Sequence, residues 1–115
     1  MHEASLAGGV LRVLEEAAAR ERFCRVGSVR LEVGALAGVE TRALRFALEA
    51  IAPGTCLEGA HIEIDEPAAS AWCLACNEAV AIRSRTEGCP RCGGARLYPT
   101  GGTELRVVEM IVHDD

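Results

Sequence analysis

The sequence predicts an α+β fold, in which a small α/β-like three-stranded sheet packs with two helices and a cysteine-rich module is inserted before the last strand. Three observations support this prediction. Two segments show apolar residues at helical spacing, three short segments alternate or are rich in β-branched residues, and two C-x-x-C pairs stand between the second and third of these segments. With 115 residues, half of them hydrophobic, the chain is long enough to bury one modest core.

The two helices are predicted from amphipathic periodicity. From Ser5 to about Arg20, apolar residues recur every three or four positions with charged residues between them. Residues 44–51 repeat this spacing, and Pro53 with Gly54 ends the second helix.

The strands are predicted from a change of period. Residues 28–33 and 60–66 alternate apolar and polar side chains, which is typical of a strand with one buried face. Residues 105–112 are apolar on both faces, so we expect this last strand to be central or covered on both sides. Residues 67–71, "PAASA", show no periodicity and are interpreted as a connector.

The cysteine-rich module carries the strongest chemical signal. Two C-x-x-C pairs separated by twelve residues provide four thiolates, the ligand set of a closed, tetrahedral zinc site. The four candidate ligands are Cys73, Cys76, Cys89 and Cys92. A rubredoxin-like iron site and a redox dithiol remain alternatives. We predict a zinc-ribbon (rubredoxin-like) domain at 72–94, with 1–71 and 95–115 forming the α/β domain.

The N-terminus offers a second set of metal donors. The α-amine of Met1, the peptide nitrogens that follow it and the imidazole of His2 can close small chelate rings around one ion. Four nitrogens in a plane suit Ni(II) or Cu(II). The alternative is an ordinary solvated histidine, because terminal residues vary freely.

Charge and composition exclude several classes. A net charge of −5 argues against a general nucleic-acid binder, and neither a secretory signal nor a membrane span is visible. We therefore expect a cytoplasmic protein with reduced thiols.

Residues 72–97 carry a net charge of +2, and without stacking aromatics on the ribbon strands we favour an acidic protein as their partner. We expect Trp72 to pack at the junction of the ribbon, and Cys24 and Cys56 to be buried as small hydrophobes.

No enzyme is expected, because the sequence contains no Ser/His/Asp set, no phosphate-binding loop and no open metal site. A zinc-ribbon module that binds protein or RNA, with an accidental terminal histidine, is the competing interpretation.

Several segments together resemble one family. The start Met1-His2-Glu3, the helix "SLAGGVLRVLEEAA", the middle segment "VRLEVGALAGVETRALRFALEAIAPGT", the cysteine ribbon and the closing "GGTELRVVEMIV" are similar to the HypA/HybF hydrogenase nickel-incorporation proteins. The resemblance runs in order over almost the whole chain. It implies a nickel metallochaperone that serves [NiFe]-hydrogenase, and in some organisms urease. The implied partners are an accessory nickel GTPase and the hydrogenase large subunit, and we expect a monomer or weak homodimer that binds neither nucleic acid nor membrane.

The resemblance also implies residue roles. His2 would supply the imidazole ligand and Met1 the amine, while the backbone nitrogens of His2 and Glu3 complete a planar nickel set. Glu3 would help to orient the site, and Glu40 would stand near the ion without binding it. The ribbon has no histidine, unlike that of some relatives, so we expect a plain four-cysteine zinc site.

Overall fold

The computed structural model describes residues 2–114, with the side chains of residues 3–114. It contains two helices and six strands: α1 (His2–Glu21), β1 (Arg25–Val33), α2 (Thr41–Ile51), β2 (His61–Asp65), β3 (Ala69–Cys73), β4 (Glu78–Ile82), β5 (Leu97–Pro99) and β6 (Leu105–His113). The strands form two three-stranded sheets, in the orders β2-β1-β6 and β4-β3-β5. The predicted α+β class, with two helices, a small sheet and a ribbon module, is confirmed. Within residues 2–114, neither α1 nor α2 combines the length and the hydropathy that a membrane-spanning helix needs.

The first of two structural units comprises the residues up to 31, residues 39–64 and those from 107 onward. In it α1 packs on α2, and the fully buried side chains of Leu14, Leu44 and Leu48 lie on the apolar faces of these helices. Burying a leucine side chain contributes about 1.5–3 kcal/mol, so this apolar contact holds the helices in place.

The position of β6 corrects one prediction. β1 is the central strand of its sheet, and β6 lies at the edge. Val108 and Ile111 of β6 are 44% and 57% exposed, so the expectation of a central or doubly covered strand is wrong. Apolar residues on both faces of a strand are compatible with burial of both faces, but burial also requires neighbouring elements that cover the strand.

The second unit comprises residues 32–38 and 65–106 and contains the β4-β3-β5 sheet. The predicted module at 72–94 lies within this unit. The interpretation of 67–71 as a connector is wrong, because β3 begins at Ala69 and buries Ala69 and Ala71 completely or nearly so. Alanine and serine give too little hydrophobic contrast for the alternation of this strand to be visible in the sequence.

The core of the second unit is small and includes cysteines. Its buried members are Leu36, Ala69, Ala71, Cys73, Val80, Ile82 and Cys89. The unit also depends on close backbone approach: a Cβ atom on Gly34 would lie 2.3 Å from the carbonyl oxygen of Gly102. A unit with so few buried side chains gains much of its stability from a cross-link such as a metal.

Candidate metal centres

The four ribbon cysteines meet at one point. Their Sγ atoms all lie within 4.8 Å of one another. The Sγ atoms of Cys73 and Cys92 are 3.7 Å apart, and those of Cys76 and Cys89 are 3.9 Å apart. Four sulfurs at about 2.3 Å from a tetrahedral zinc ion would be separated by about 3.8 Å. The spacing of these thiols therefore fits Zn(II).

Two tight turns present the cysteines. Asn77, after the first pair, has a φ of 57°, and Gly93, after the second pair, has a φ of 75°. Glycine and asparagine tolerate this left-handed conformation better than other residues. Each turn is closed by a backbone hydrogen bond to a cysteine carbonyl, from Asn77 N to Cys73 O at 2.8 Å and from Gly93 N to Cys89 O at 2.8 Å.

Backbone amides point at three of the sulfur atoms. These N–H donors bond a thiolate more strongly than a neutral thiol and so favour the deprotonated form that zinc requires. The donors and acceptors are Cys76 N to Cys73 Sγ at 3.4 Å, Arg91 N to Cys89 Sγ at 3.3 Å, and Gly94 N to Cys92 Sγ at 3.4 Å.

The crowded thiols titrate differently. Backbone hydrogen bonds, first from Cys92 and then from Arg91, lower the pKa of Cys89 to about 7. The pKa of Cys76 rises to about 12, mainly because it shares a side-chain hydrogen bond with Cys92. A divalent cation at the centre compensates the negative charge that would otherwise accumulate on four thiolates.

Only some of the residues predicted to bind nickel are described by the structure. Met1 lies outside the described residues, and so does the side chain of His2. Glu3 is described: its carboxylate accepts a hydrogen bond of 3.0 Å from the backbone N–H of Glu40. The first turn of α1 is thus joined to the residue that precedes α2.

Glu40 has a clear structural role. It is the N-cap of α2, and its Oε1 accepts hydrogen bonds from Arg42 N at 2.9 Å and Ala43 N at 3.2 Å. Both are among the first amides of the helix, which have no intrahelical acceptor. A role for Glu40 near nickel stays a prediction, whereas its capping role was not foreseen from the sequence.

The remaining cysteines differ from each other. Cys56 is buried, as expected, but Cys24 is exposed, so the expectation that it is buried is wrong. Both line a cavity of the first unit together with Glu15. The carboxylate of Glu15 accepts a hydrogen bond from the Cys56 backbone N–H at 3.2 Å, and burial, followed by the charge of Glu15, raises the pKa of the Cys56 thiol.

An aromatic pair lies on the ribbon and was not foreseen from the sequence. Trp72 and Tyr98 are paired residues of β3 and β5, and both are exposed. The expectation that Trp72 packs at the junction of the ribbon does not describe this arrangement. The expectation that the ribbon strands lack aromatics is therefore wrong. It arose because β5, which carries Tyr98, was not predicted as a strand.

Comparison with known proteins gives consistent matches. A family model described as "Hydrogenase/urease nickel incorporation, metallochaperone, hypA" matches residues 1–112. A hydrogenase maturation factor HypA from Cupriavidus necator is 68% identical over 114 residues, which cover 99% of this chain and 96% of that protein. A HypA from Polaromonas naphthalenivorans is 62% identical over 115 residues and the full length of both chains.

Two solved structures share the fold. One is the solution structure of the nickel metallochaperone HypA from Helicobacter pylori, with a TM-score of 0.68, 16% identity and coverage of 98% of both chains. Another solution structure of a HypA protein gives a TM-score of 0.69 at 18% identity and covers 100% of this chain and 98% of that one. At these identities the likeness supports the fold alone.

Proposed function

The chain belongs to the HypA family of hydrogenase/urease nickel incorporation proteins, and from this premise we propose that it binds Ni(II) at its N-terminus and delivers it during [NiFe]-hydrogenase maturation. The match of the family model to residues 1–112 carries this proposal. That match spans both the N-terminal segment and the ribbon, which gives no support to a ribbon module without a nickel role.

The proposed nickel ligands are the amine of Met1, the imidazole of His2 and the backbone nitrogens of His2 and Glu3. Because α1 begins at His2, these two amides are among the first four N–H groups of the helix and have no intrahelical acceptor. Binding a metal through them therefore breaks no helical hydrogen bond. This availability supports a planar nitrogen set at the start of α1.

Glu3 supports the proposed site by fixing the start of α1. Its carboxylate lies at the N-terminus of α2, where the helix dipole favours a negative charge. The hydrogen bond to Glu40 N restrains the first turn of α1 while the metal-binding atoms stay near the chain terminus. A site of this kind can release its ion to a partner more readily than a buried cage can.

The ribbon and the terminus divide the metals by ligand type. Cys73, Cys76, Cys89 and Cys92 would hold zinc, which supplies a structural cross-link and no open coordination position. Nitrogen ligands in a plane suit Ni(II) but also Cu(II), so selectivity would depend on the partners and on metal availability.

We further propose the partners and setting of this transfer. Nickel would be exchanged with the accessory nickel GTPase and delivered to the hydrogenase large subunit, with urease as a second recipient in some organisms. The cytoplasm is the proposed compartment, since its reducing conditions keep all six cysteines as thiols. Metal transfer of this kind requires no catalysed reaction by the chain itself.

The proposal is tested by nickel binding to histidine variants. Equilibrium dialysis of zinc-loaded protein with a native N-terminus should give one Ni(II) per chain, and His2→Ala should lose it. His61→Ala is the matched control, since His61 is an exposed histidine on β2. Retention of stoichiometric nickel by His2→Ala would contradict the proposed site.

A further inference from the structure

We propose that the open face of the β4-β3-β5 sheet is a docking surface for a partner protein that presents apolar side chains together with a carboxylate. This surface, called the aromatic face below, consists of Trp72, Leu74, Tyr98 and Arg96. It lies entirely within the second unit and includes none of the metal ligands.

Strand register brings the two aromatic side chains side by side. Trp72 of β3 pairs with Tyr98 of β5 on one side and with Ala79 of β4 on the other. Successive side chains of a strand point to opposite faces. Ala71 and Cys73, which flank Trp72, are fully buried, so Trp72 and its partners must lie on the opposite, solvent-facing side of the sheet.

The aromatic face extends beyond this pair. The backbone N–H of Leu74 donates to the carbonyl of Arg96 at 3.0 Å, which places these residues opposite each other just past the ends of β3 and β5. This hydrogen bond continues the register of the Trp72–Tyr98 pair by two residues, so Leu74 and Arg96 lie next to that pair. Tyr98 is 68% exposed, Leu74 54% and Trp72 39%.

The composition of the aromatic face is typical of a binding hot spot, the group of residues that contributes most of the binding energy of a protein interface. Tryptophan, tyrosine and arginine are the residues most enriched at such centres. The small side chain of Ala79 beside Trp72 leaves the indole accessible on that flank. Pro99 deprives the edge strand β5 of one N–H donor, which disfavours strand addition and favours docking on the face of the sheet.

Charge indicates which kind of partner this face accepts. The second unit contains five arginines against six carboxylates, and four zinc-bound thiolates would add further negative charge. Arg91 is already paired with Glu78 at 2.8 Å. A polyanion such as nucleic acid requires a surplus of cations that this unit lacks.

Arg96 is the one cation of the aromatic face. It is exposed, and within residues 2–114 it forms no ion pair. A single available guanidinium beside three exposed apolar side chains is complementary to one carboxylate within an apolar segment.

The single tryptophan of the chain allows a direct test. Protein labelled with 5-fluorotryptophan has one ¹⁹F resonance, which reports on Trp72. We would titrate it with purified hydrogenase large-subunit precursor, a choice of probe that rests on the proposed function. The expected result is a shift or broadening of this resonance, with the Kd at least ~10-fold weaker in Tyr98→Ala and Arg96→Glu.

Phe46→Ala is the matched control, because Phe46 is 74% exposed but lies on α2 in the other unit. Its Kd should stay within about twofold of the wild-type value. Zinc content is measured for every variant to show that the ribbon is intact.

Three results would overturn the inference: no change of the resonance with the large subunit, an unchanged Kd in both face variants, or a response to single-stranded oligothymidine instead. A response to dilution of the protein alone would assign the face to self-association and would also overturn it. If His2-dependent nickel binding is intact while the resonance does not move, only the docking inference fails. If the resonance moves but His2→Ala keeps nickel, only the proposed nickel site fails.

Discussion

Replacing Glu40 with alanine separates its capping role from any role near nickel. Glu40→Ala removes the acceptor of two hydrogen bonds, from Arg42 N at 2.9 Å and Ala43 N at 3.2 Å, at the start of a helix that buries Leu44 and Leu48. Loss of an exposed N-cap costs about 0.5–1 kcal/mol. With an unfolding entropy of about 2.1 cal/mol/K per residue, this corresponds to a decrease in Tm of about 2–4 °C.

The assay is thermal unfolding of zinc-loaded protein by circular dichroism, with nickel absent, followed by nickel dialysis. Glu40→Asp is the control, because aspartate caps helices well and should keep most of the stability. Since Glu3 accepts its hydrogen bond from the backbone N–H of Glu40, which the substitution keeps, we expect Glu40→Ala to keep one Ni(II) per chain. An unchanged Tm, or an equal loss in Glu40→Asp, would refute the capping argument.

The zinc site, one glycine and the two cysteines outside the ribbon give three further predictions. Cys76→Ala leaves three thiolates, so zinc measured by atomic absorption should fall well below one per chain. The control Cys24→Ala should keep its zinc. Full zinc content in Cys76→Ala would contradict the four-thiolate site. Gly102→Ala places a Cβ 2.3 Å from the Ala69 Cβ, at a residue whose φ is 93°. The free energy of unfolding in urea should therefore fall by about 1–3 kcal/mol. An unchanged unfolding midpoint would count against this packing. Burial raises the pKa of Cys56, which leaves less thiolate at pH 8, so mass spectrometry should find Cys56 alkylated more slowly than the exposed Cys24; equal rates would contradict its burial.

Strong periodicity made much of the fold predictable. Both helices have predicted apolar positions that the structure buries, such as Leu14 in α1 and Leu48 in α2. The alternation in β1 likewise marks Val29 and Leu31, which are buried in the central strand. These side chains are large and apolar, so their spacing reports directly on the face that leaves water.

The ribbon strands were not predictable in the same way. β3 buries Ala69, Ala71 and Cys73, whose small side chains give weak hydrophobic contrast, and β5 is only three residues long. Its pairing with β3 is long-range, so no local pattern places Tyr98 beside Trp72. The edge position of β6 likewise depends on strand order, which a single strand's composition does not contain.

The two candidate sites differ in how much of their geometry can be predicted from the sequence. Spacing alone predicts four thiolates, and the structure brings them within 4.8 Å of one another. The hydrogen bond between Glu3 and Glu40 joins residues 37 positions apart, and only the packing of α1 on α2 produces it.

Nickel titration of protein with a verified native N-terminus tests the central claim most directly. The comparison is the same protein with one extra residue before Met1, which moves the α-amine away from His2. The proposed nickel site predicts a planar-nickel absorption band and one Ni(II) per chain only for the native terminus. Nickel binding should weaken on acidification, because the imidazole must be neutral. Equal bands and equal stoichiometry in both proteins would contradict it.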